Sequence, residues 1–520
     1  MSAMRLIVYD RLTTPPEHLD ILLVPTSDAI HDQVNSPRHT AYDRVAILDT
    51  TLADLRDGFR REAGLRPPLI LTGHQSEFYH AGVFAKLIAA EQFAAQLGGS
   101  AAYLAVDSDL PKSTDLIVPR IEGGIVRQTR LPIPGCDPRL PAESQPRLSK
   151  AEWQDFFDSI RERIPIPENA LSDYRDGILA NTESRVSLRD VTLDGQQAVL
   201  RSLGLPAPAV LTVSKLTQTP EFRALLAHLV LNARRFVDDY NAAQRAYRQD
   251  HRVRNTQRPA PLLYSDGDRV ELPFWIFRLG EPRRRLFVSA ADDRVRFFAD
   301  REHVGEETAG RMKSLAGHQT PWTIEEAGWG IRPRGLMLSA WMRLLFVDLF
   351  IHGIGGAKYD EMTEEFVRRF FGVELMPMCC VSATARLPLP IHGRTREEVR
   401  DAVRAVRDLR FNPQRYNPNL SAESLRRRDR LIQESRRLGE SRPPDRAARR
   451  STYEQIHRIN EELLGQSSEI GLELENRYRI RSKEMQSDRS ARDREYFFAL
   501  HSRETLFALT DSVRAKLRGE

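Results

Sequence analysis

The chain reads as a mixed α/β protein: a parallel-sheet core carrying inserted connective segments, a small antiparallel sheet and a C-terminal helical hairpin. Three observations predict it. Residues 69–106 run strand, loop, helix, strand; apolar residues alternate with period two between 259 and 300; and past Pro388 the composition shifts to charged helix. A chain of 520 residues suits two or three packed units. The expected division is 1–130 (first part of the core), 131–205 (connective insertion), 206–255 (core strand and long helix), 256–330 (small antiparallel insertion), 331–390 (second part of the core) and 391–520 (helical hairpin and docking helix).

Arg5–Tyr9 reads as an opening strand, followed by mostly helical sequence to Pro67-Pro68. Leu69–Thr72 is a short buried-strand run, Gly73–Gly82 a polar turn, Val83–Leu97 a helix and Ala101–Val106 a second strand. A βαβ unit of this length has parallel strands, with ligands beyond their carboxyl ends. The proline-rich 130–205 holds a helix at Trp153–Arg163; Val210–Val213 is a strand, and Pro220–Arg248 a single long amphipathic helix. Val270–Phe277, Arg284–Val288 and Val295–Phe298 form the antiparallel sheet. Gly335–His352 reads as one buried helix, broken by Gly353-Ile-Gly-Gly-Ala, with a helix at Lys358–Phe371 and a strand at Leu375–Thr384. Leu425, Ile432 and Leu438, then Ile456, Leu463 and Ile470, recur at near-heptad spacing around a breaker at Gly439–Asp445, which describes an antiparallel hairpin. Tyr496–Leu500 and Leu506–Leu509 are apolar enough to dock the C-terminus on the core.

Composition limits the function classes. Hydrophobic residues at 41% and charged residues at 29% fall in the globular range, and no apolar run approaches a membrane span. An acid at position 10 precedes any signal-like segment, so the expected location is the cytoplasm. Three cysteines, Cys136, Cys379 and Cys380, build neither a disulfide framework nor a thiolate zinc cage. Residues 391–520 hold 29 Lys/Arg against 22 Asp/Glu and the rest is balanced at 48 against 50; because basic and acidic residues alternate, a solvated helix surface is favoured over nucleic acid. No membrane partner is expected, the ligand is a small molecule, and the seam of the hairpin calls for the core or a second subunit.

Three polar segments are candidates for chemistry. Thr72-Gly73-His74-Gln75 leads through His80 and Gly82 into a helix carrying Lys86 one turn in, placing hydrogen-bonding groups beside helix N–H donors where anions bind; His74 and His80 are candidate acid, base or phosphate donors, and a capping loop is the plainer alternative. Asp107-Ser-Asp109 with Lys112 follows the next strand; two carboxylates there suit a cation or ribose hydroxyls, or simply cap a helix, and no metal site is assigned. Arg332, His352, Gly355, Gly356, Lys358 and Tyr359 form a glycine-containing corner with basic side chains, suited to a phosphate or carboxylate or to helix packing alone. It is neither a GxGxxG fingerprint nor a P-loop.

At these residues the chain resembles the cysteine ligase family of bacillithiol biosynthesis. Thr72-Gly73-His74-Gln75 stands where that family has Thr-Gly-Gln-Gln, Ala81-Gly82 with Lys86 where it has Gly-Pro and a helical lysine, and Val106-Asp107-Ser108-Asp109 where it has Glu-Asp-His-Asp. Arg332-Pro333 and Gly355-Gly356-Ala357-Lys358-Tyr359 look like its later Arg-Pro element and glycine turn. The similarity covers mainly 68–120 and 330–385. It implies a Rossmann-like core, a dimerising coiled coil, and a cleft for ATP or another nucleotide with Mg beside a sugar-linked substrate. The activity expected is ligation or transfer of an amino group to a small polar acceptor. A metal-dependent nucleotide-sugar transferase using Asp107 and Asp109, and a non-catalytic scaffold with a degenerate enzyme core, are the alternatives.

Overall fold

The computed structural model describes residues 9–36, 38–255, 260–315, 320–440 and 445–520. Two units are distinguished: Met1–Val118 with Thr129–Leu387 and Arg494–Glu520, and Pro119–Gln128 with Pro388–Asp493.

Besides the two-residue strand Ser265–Asp266, the strands of the first unit's two larger sheets are, along the chain, β1 (Ile21–Val24), β2 (Leu69–Gln75), β3 (Ser100–Val106), β4 (Ala209–Thr212), β5 (Arg269–Phe277), β6 (Arg284–Ala291), β7 (Arg294–Ala299), β8 (Glu302–Thr308), β9 (Gly330–Pro333), β10 (Leu349–His352) and β11 (Met378–Ala383). Its helices that matter here are α1 (Ala81–Leu97), α2 (Pro220–Leu231), α3 (Ala233–Asp250), α4 (Gly335–Leu345) and α5 (Ile354–Phe371). The core sheet has the order β1-β11-β10-β2-β3-β4, parallel throughout except for the β1 edge, which runs antiparallel to β11. From β2 the chain steps outward to β3 and β4; from β10 it steps the other way to β11. Strand order therefore reverses between β2 and β10, which pair with Phe350 opposite Leu71 and Ile351 opposite Thr72.

Strand alternation sends Leu69 and Leu71 of β2, with Ala102 and Leu104 of β3, into one hydrophobic cluster with α2–α5. Helix α1 packs on β2, β3, β10 and β11. It is apolar on almost every side because the C-terminal helix Arg503–Leu517 packs on it in turn. Phe498, just before that helix, stacks on Phe84 at 4.6 Å and on Tyr79 at 5.1 Å, tying the C-terminus to the loop after β2.

Several elements differ from the sequence reading. The edge strand is β1; of the expected Arg5–Tyr9 strand, residues 5–8 lie outside the described residues and Tyr9–Arg11 is a short 3-10 turn. Pro220–Arg248 divides at Asn232 into α2 and α3. The apolar run 335–352 is a helix followed by the core strand β10, since a buried strand and a buried helix carry the same unbroken apolar signal. Arg56, from the helix Leu52–Ala63, takes the Leu344 and Val347 carbonyls, and its ion pair with Asp348 at 2.8 Å sits beside the Leu69 N–H that Asp348 also accepts at 2.7 Å. The helix is thereby stopped and β10 locked against β2 by a residue almost 300 positions away. The glycines after β10 make no open turn: α5 starts at Ile354 and includes Gly355 and Gly356.

The six-stranded antiparallel sheet has the order β5-β6-β7-β8, and the outer edge of β5 pairs with the short strand Ser265–Asp266 at one end and with β9 at the other. Arg332 of the expected corner thus belongs to this sheet, opposite Trp275.

Among the described residues the second unit contains four longer helices, α6 (Arg396–Phe411), α7 (Ala422–Glu440), α8 (Arg446–Gly465) and α9 (Ser468–Ala491), in place of a lone hairpin. Helix α6 packs on α9 and α7 on α8. Leu420, Ile459 and Leu463 form a small core with Leu425 and Leu431, and buried Arg428 donates to Asn460 Oδ1 at 2.7 Å and to the Phe411 carbonyl. Most of the expected breaker, residues 441–444, lies outside the described residues. Among the described residues no helix is long and apolar enough to cross a membrane.

Candidate functional site

The carboxyl ends of β2, β3 and β10 gather most of the sequence-predicted residues. Strand β2 runs to Gln75, so Gly73, His74 and Gln75 are strand residues and not part of a turn. Their backbone is pinned opposite Leu104, Ala105 and Val106. Gly73 is needed for that closeness: a Cβ there would lie 2.7 Å from the Leu104 carbonyl oxygen. Thr72 is buried and donates to the Ile351 carbonyl, bracing the β2–β10 pair.

The two histidines carry opposite hydrogen-bonding faces. His74 Nδ1 lies 3.2 Å from the Gln75 carbonyl and 3.3 Å from Glu77 Oε1; both are acceptors, so Nδ1 holds the proton and Nε2 keeps its lone pair. Burial, then Lys86 and Lys112, hold His74 well below its ordinary pKa, and the ring is neutral at pH 7. His80 is the N-cap of α1: its Nδ1 accepts from the Gly82 N–H at 3.0 Å and from Arg494 Nη2 at 3.1 Å, which places the proton on Nε2. Burial, then Arg494 and Lys86, lower its pKa to about 3. His80 is therefore a neutral cap whose Nε2 faces Glu495 Oε2 at 3.5 Å, and of the two rings His74 is the one with Nε2 unprotonated. Gly82 is confined by the same contacts, since a Cβ would meet Arg494, His80 and the Ala383 carbonyl within 2.8 Å.

Lys86 is 4% exposed and donates to the Gly73 carbonyl at 2.7 Å. Burial first, then Lys112, bring its pKa down to about 8. Between about pH 8 and its ordinary value the unfolded chain binds a proton at this lysine that the folded chain has lost, so its contribution to stability rises with pH across that window. Urea unfolding of wild type and Lys86→Met from pH 7 to 10 should show the variant's relative stability falling as pH climbs through 8; a pH-independent difference would show that Lys86 does not titrate there.

The acidic segment is bound into the scaffold. Asp107 is fully buried, with Oδ1 accepting the Ser214 N–H at 3.0 Å and Oδ2 accepting Ser214 Oγ at 2.5 Å, facing Arg189 at 3.4 Å. It caps the segment after β4 and has no oxygen left for a catalytic part. Asp109 is a third exposed; Gln75 Nε2 donates to it at 3.1 Å and Arg283 Nη1 at 2.7 Å. Among the described residues no group of three or more His, Cys, Asp or Glu is placed to hold a metal ion. Lys112 is exposed and pairs with Glu77 at 3.1 Å; burial raises the Glu77 pKa, against the pull of Lys112.

The third segment divides. Arg332 makes a buried two-pronged ion pair with Glu143, 2.9 Å on each prong, and is committed to structure. His352 closes β10 and is turned inward, its Nε2 3.2 Å from Asp360 Oδ2. Gly356 fits against it, because a Cβ there would lie 2.5 Å from His352 Nδ1. Gly355, Gly356 and Tyr359 are exposed on the first turn and a half of α5, Lys358 is half-buried, and among the described residues no side chain caps that helix. Burial raises the pKa of the Cys380 thiol of β11 to about 12, against the pull of the Lys86 and Lys358 charges.

Sequence reasoning did not single out Glu77, Arg283 or Arg494, and it read Cys380 as packing within a strand, where it lies. Glu77 stood within the quoted loop, three residues after His74; Arg283 and Arg494 carry no local signal. A cavity of about 1130 Å³ lies elsewhere in the first unit, beside the amino end of β11, lined by Asp32, Tyr247, Asp250, Glu361 and Arg368 among others; no residue predicted from sequence lines it. No protein-family model matches the chain, and no curated protein matches its sequence.

Proposed function

We propose that the chain is a ligase- or transferase-type enzyme that joins an amino group to a small polar, sugar-containing acceptor on a Rossmann-like core, with ATP or another nucleotide and Mg as cofactor. We read it as a divergent relative of the cysteine ligase family of bacillithiol biosynthesis. The observation that carries the reading is the reversal of strand order between β2 and β10, with two helices starting beside it. Open α/β sheets bind ligands outside the carboxyl ends of their strands at such a reversal. Helix starts favour phosphates through unpaired N–H groups and the helix dipole.

The start of α1 is already taken by His80, whereas the start of α5 has exposed glycines, no side-chain cap and Lys358 in its second turn. The nucleotide phosphates belong at α5. His74, neutral with its Nε2 unprotonated, would take the proton released as the amine forms its new bond to the acceptor and the nucleotide-activated leaving group departs; Lys86 would supply a positive charge to that leaving anion, and His80, whose Nε2 faces Glu495 Oε2 at 3.5 Å, holds the start of α1. Asp107 and Arg332 hold the scaffold. The resemblance also carries a homodimer through the helices of the second unit, which sedimentation equilibrium tests directly.

Isothermal titration with ATP–Mg tests the reading. Wild type should bind, and Lys358→Met should bind at least about tenfold more weakly, a loss near 1.4 kcal/mol. His74→Ala should keep nucleotide affinity and lose turnover. Binding of a manganese–nucleotide-sugar complex with none of ATP would replace this reading with the transferase alternative.

A further inference from the structure

The antiparallel sheet sends to the site one side chain that no sequence pattern marks. Arg283 lies in the turn between β5 and β6, and its side chain is 10% exposed. Nη1 donates to the Ser108 carbonyl and to Asp109 Oδ1, both at 2.7 Å, and Gln75 holds the other oxygen of that carboxylate. The guanidinium carbon sits 4.5 Å from the centroid of the Trp275 ring. Carboxylate and indole together fix the plane of the group.

Only part of the guanidinium is satisfied by these contacts. Nε is buried and has no hydrogen-bond partner among the described residues, and Nη2 bonds to none of them. Nε–H and Nη2–H point along the same edge, the geometry that takes two oxygens of one carboxylate or phosphate. A buried donor with no acceptor costs free energy in a folded protein; Arg223 Nη1 and Arg386 Nε share that condition, and what sets Arg283 apart is its place beside Asp109 and Gln75. Here the unsatisfied group is cationic, already oriented, and joined through Asp109 to Gln75, next to the proposed base His74.

We propose that Arg283 anchors the substrate's oxyanion, its Nε/Nη2 edge receiving a carboxylate or a phosphate carried by the small polar substrate. The inference rests on the functional reading above and adds to it the chemical class of that substrate: an acid. The anchor is preorganised, because the ring and the ion pair hold the guanidinium before the ligand arrives and little side-chain freedom is lost on binding. Lysine in its place would keep the charge and lose the paired edge.

The test is isothermal titration of the full chain with inorganic phosphate and, separately, with succinate. At least one anion should bind, and Arg283→Lys should weaken that binding about tenfold or more while its urea midpoint stays close to wild type. Asp109→Asn, which leaves Arg283 in place but loosens the ion pair that orients it, should weaken that binding, where loss of a nearby negative charge alone would tighten it, and it serves if Arg283→Lys does not fold. Saturation by phosphate identifies a phosphorylated substrate; saturation by succinate identifies a carboxylic one. Equal affinity in wild type and Arg283→Lys, tighter binding in Asp109→Asn, or no binding of either anion would overturn the proposal. ATP–Mg titrated into the same samples separates the two ideas. If only the nucleotide reading fails, ATP does not bind and the Arg283-dependent anion does; if only this inference fails, ATP binds and neither anion shows a dependence on Arg283.

Discussion

Arg343→Met is expected to destabilise the first unit by about 3–5 kcal/mol, the cost of leaving a buried charge without its partner. Arg343 and Asp360 are each 1% exposed and joined by a direct ion pair. Arg343 Nε also donates to the Met376 carbonyl and Nη2 to Glu364, both at 2.7 Å. Asp360 in turn accepts from Ser339 Oγ at 2.6 Å and from His352 Nε2. Burial alone would raise the Asp360 pKa; Arg343, then His352, hold it below the ordinary carboxylate range. With a methionine in place, the carboxylate keeps its burial and loses its main counter-charge. The network sets the orientation of His352 and, through Gly356, the start of α5, so the same variant should weaken any ligand seated there. Urea unfolding followed by far-ultraviolet circular dichroism measures the first effect; a change below 1 kcal/mol would mean the pair is dispensable.

Asp107→Ala is expected to cost about 3 kcal/mol, because the buried Ser214 N–H and hydroxyl lose a charged acceptor together. It separates scaffold from chemistry. A structural Asp107 predicts a lowered unfolding midpoint with ligand affinity per folded molecule unchanged, whereas a catalytic Asp107 predicts lost turnover at normal stability. Thermal unfolding with and without ATP–Mg, set beside turnover of the folded fraction, reads both.

The βαβ run from Leu69 to Val106 was legible because local period, glycine placement and length all agreed. Strand β10 was not, since Leu349-Phe-Ile continues the apolar run of α4 and the break is imposed by Arg56 from outside it. β1 escaped for a similar reason: Ile21–Val24 is only four residues long and takes its pairing from β11.

In the site, residue type marked His74, Gln75, Lys86 and Asp109 as neighbours, and the structure joins Gln75 to Asp109 directly. Residue type did not tell which polar groups already had partners. Asp107, Arg332 and His352 look as reactive as His74 in one dimension, yet each is answered by a residue far away in sequence: Ser214, Glu143 and, through Asp360, Arg343. Arg283 is the converse case, an ordinary surface-type residue by pattern, made conspicuous by what it lacks.

The central claim is that ligand binds where the first turns of α1 and α5 meet the carboxyl ends of β2 and β10. Amide hydrogen exchange followed by mass spectrometry, with and without ATP–Mg, tests it most directly. Slowed exchange concentrated in peptides covering 73–86 and 353–360 is the predicted result. Protection confined to other segments, such as those lining the cavity beside Asp250 and Glu361, or none at saturating nucleotide, would contradict it.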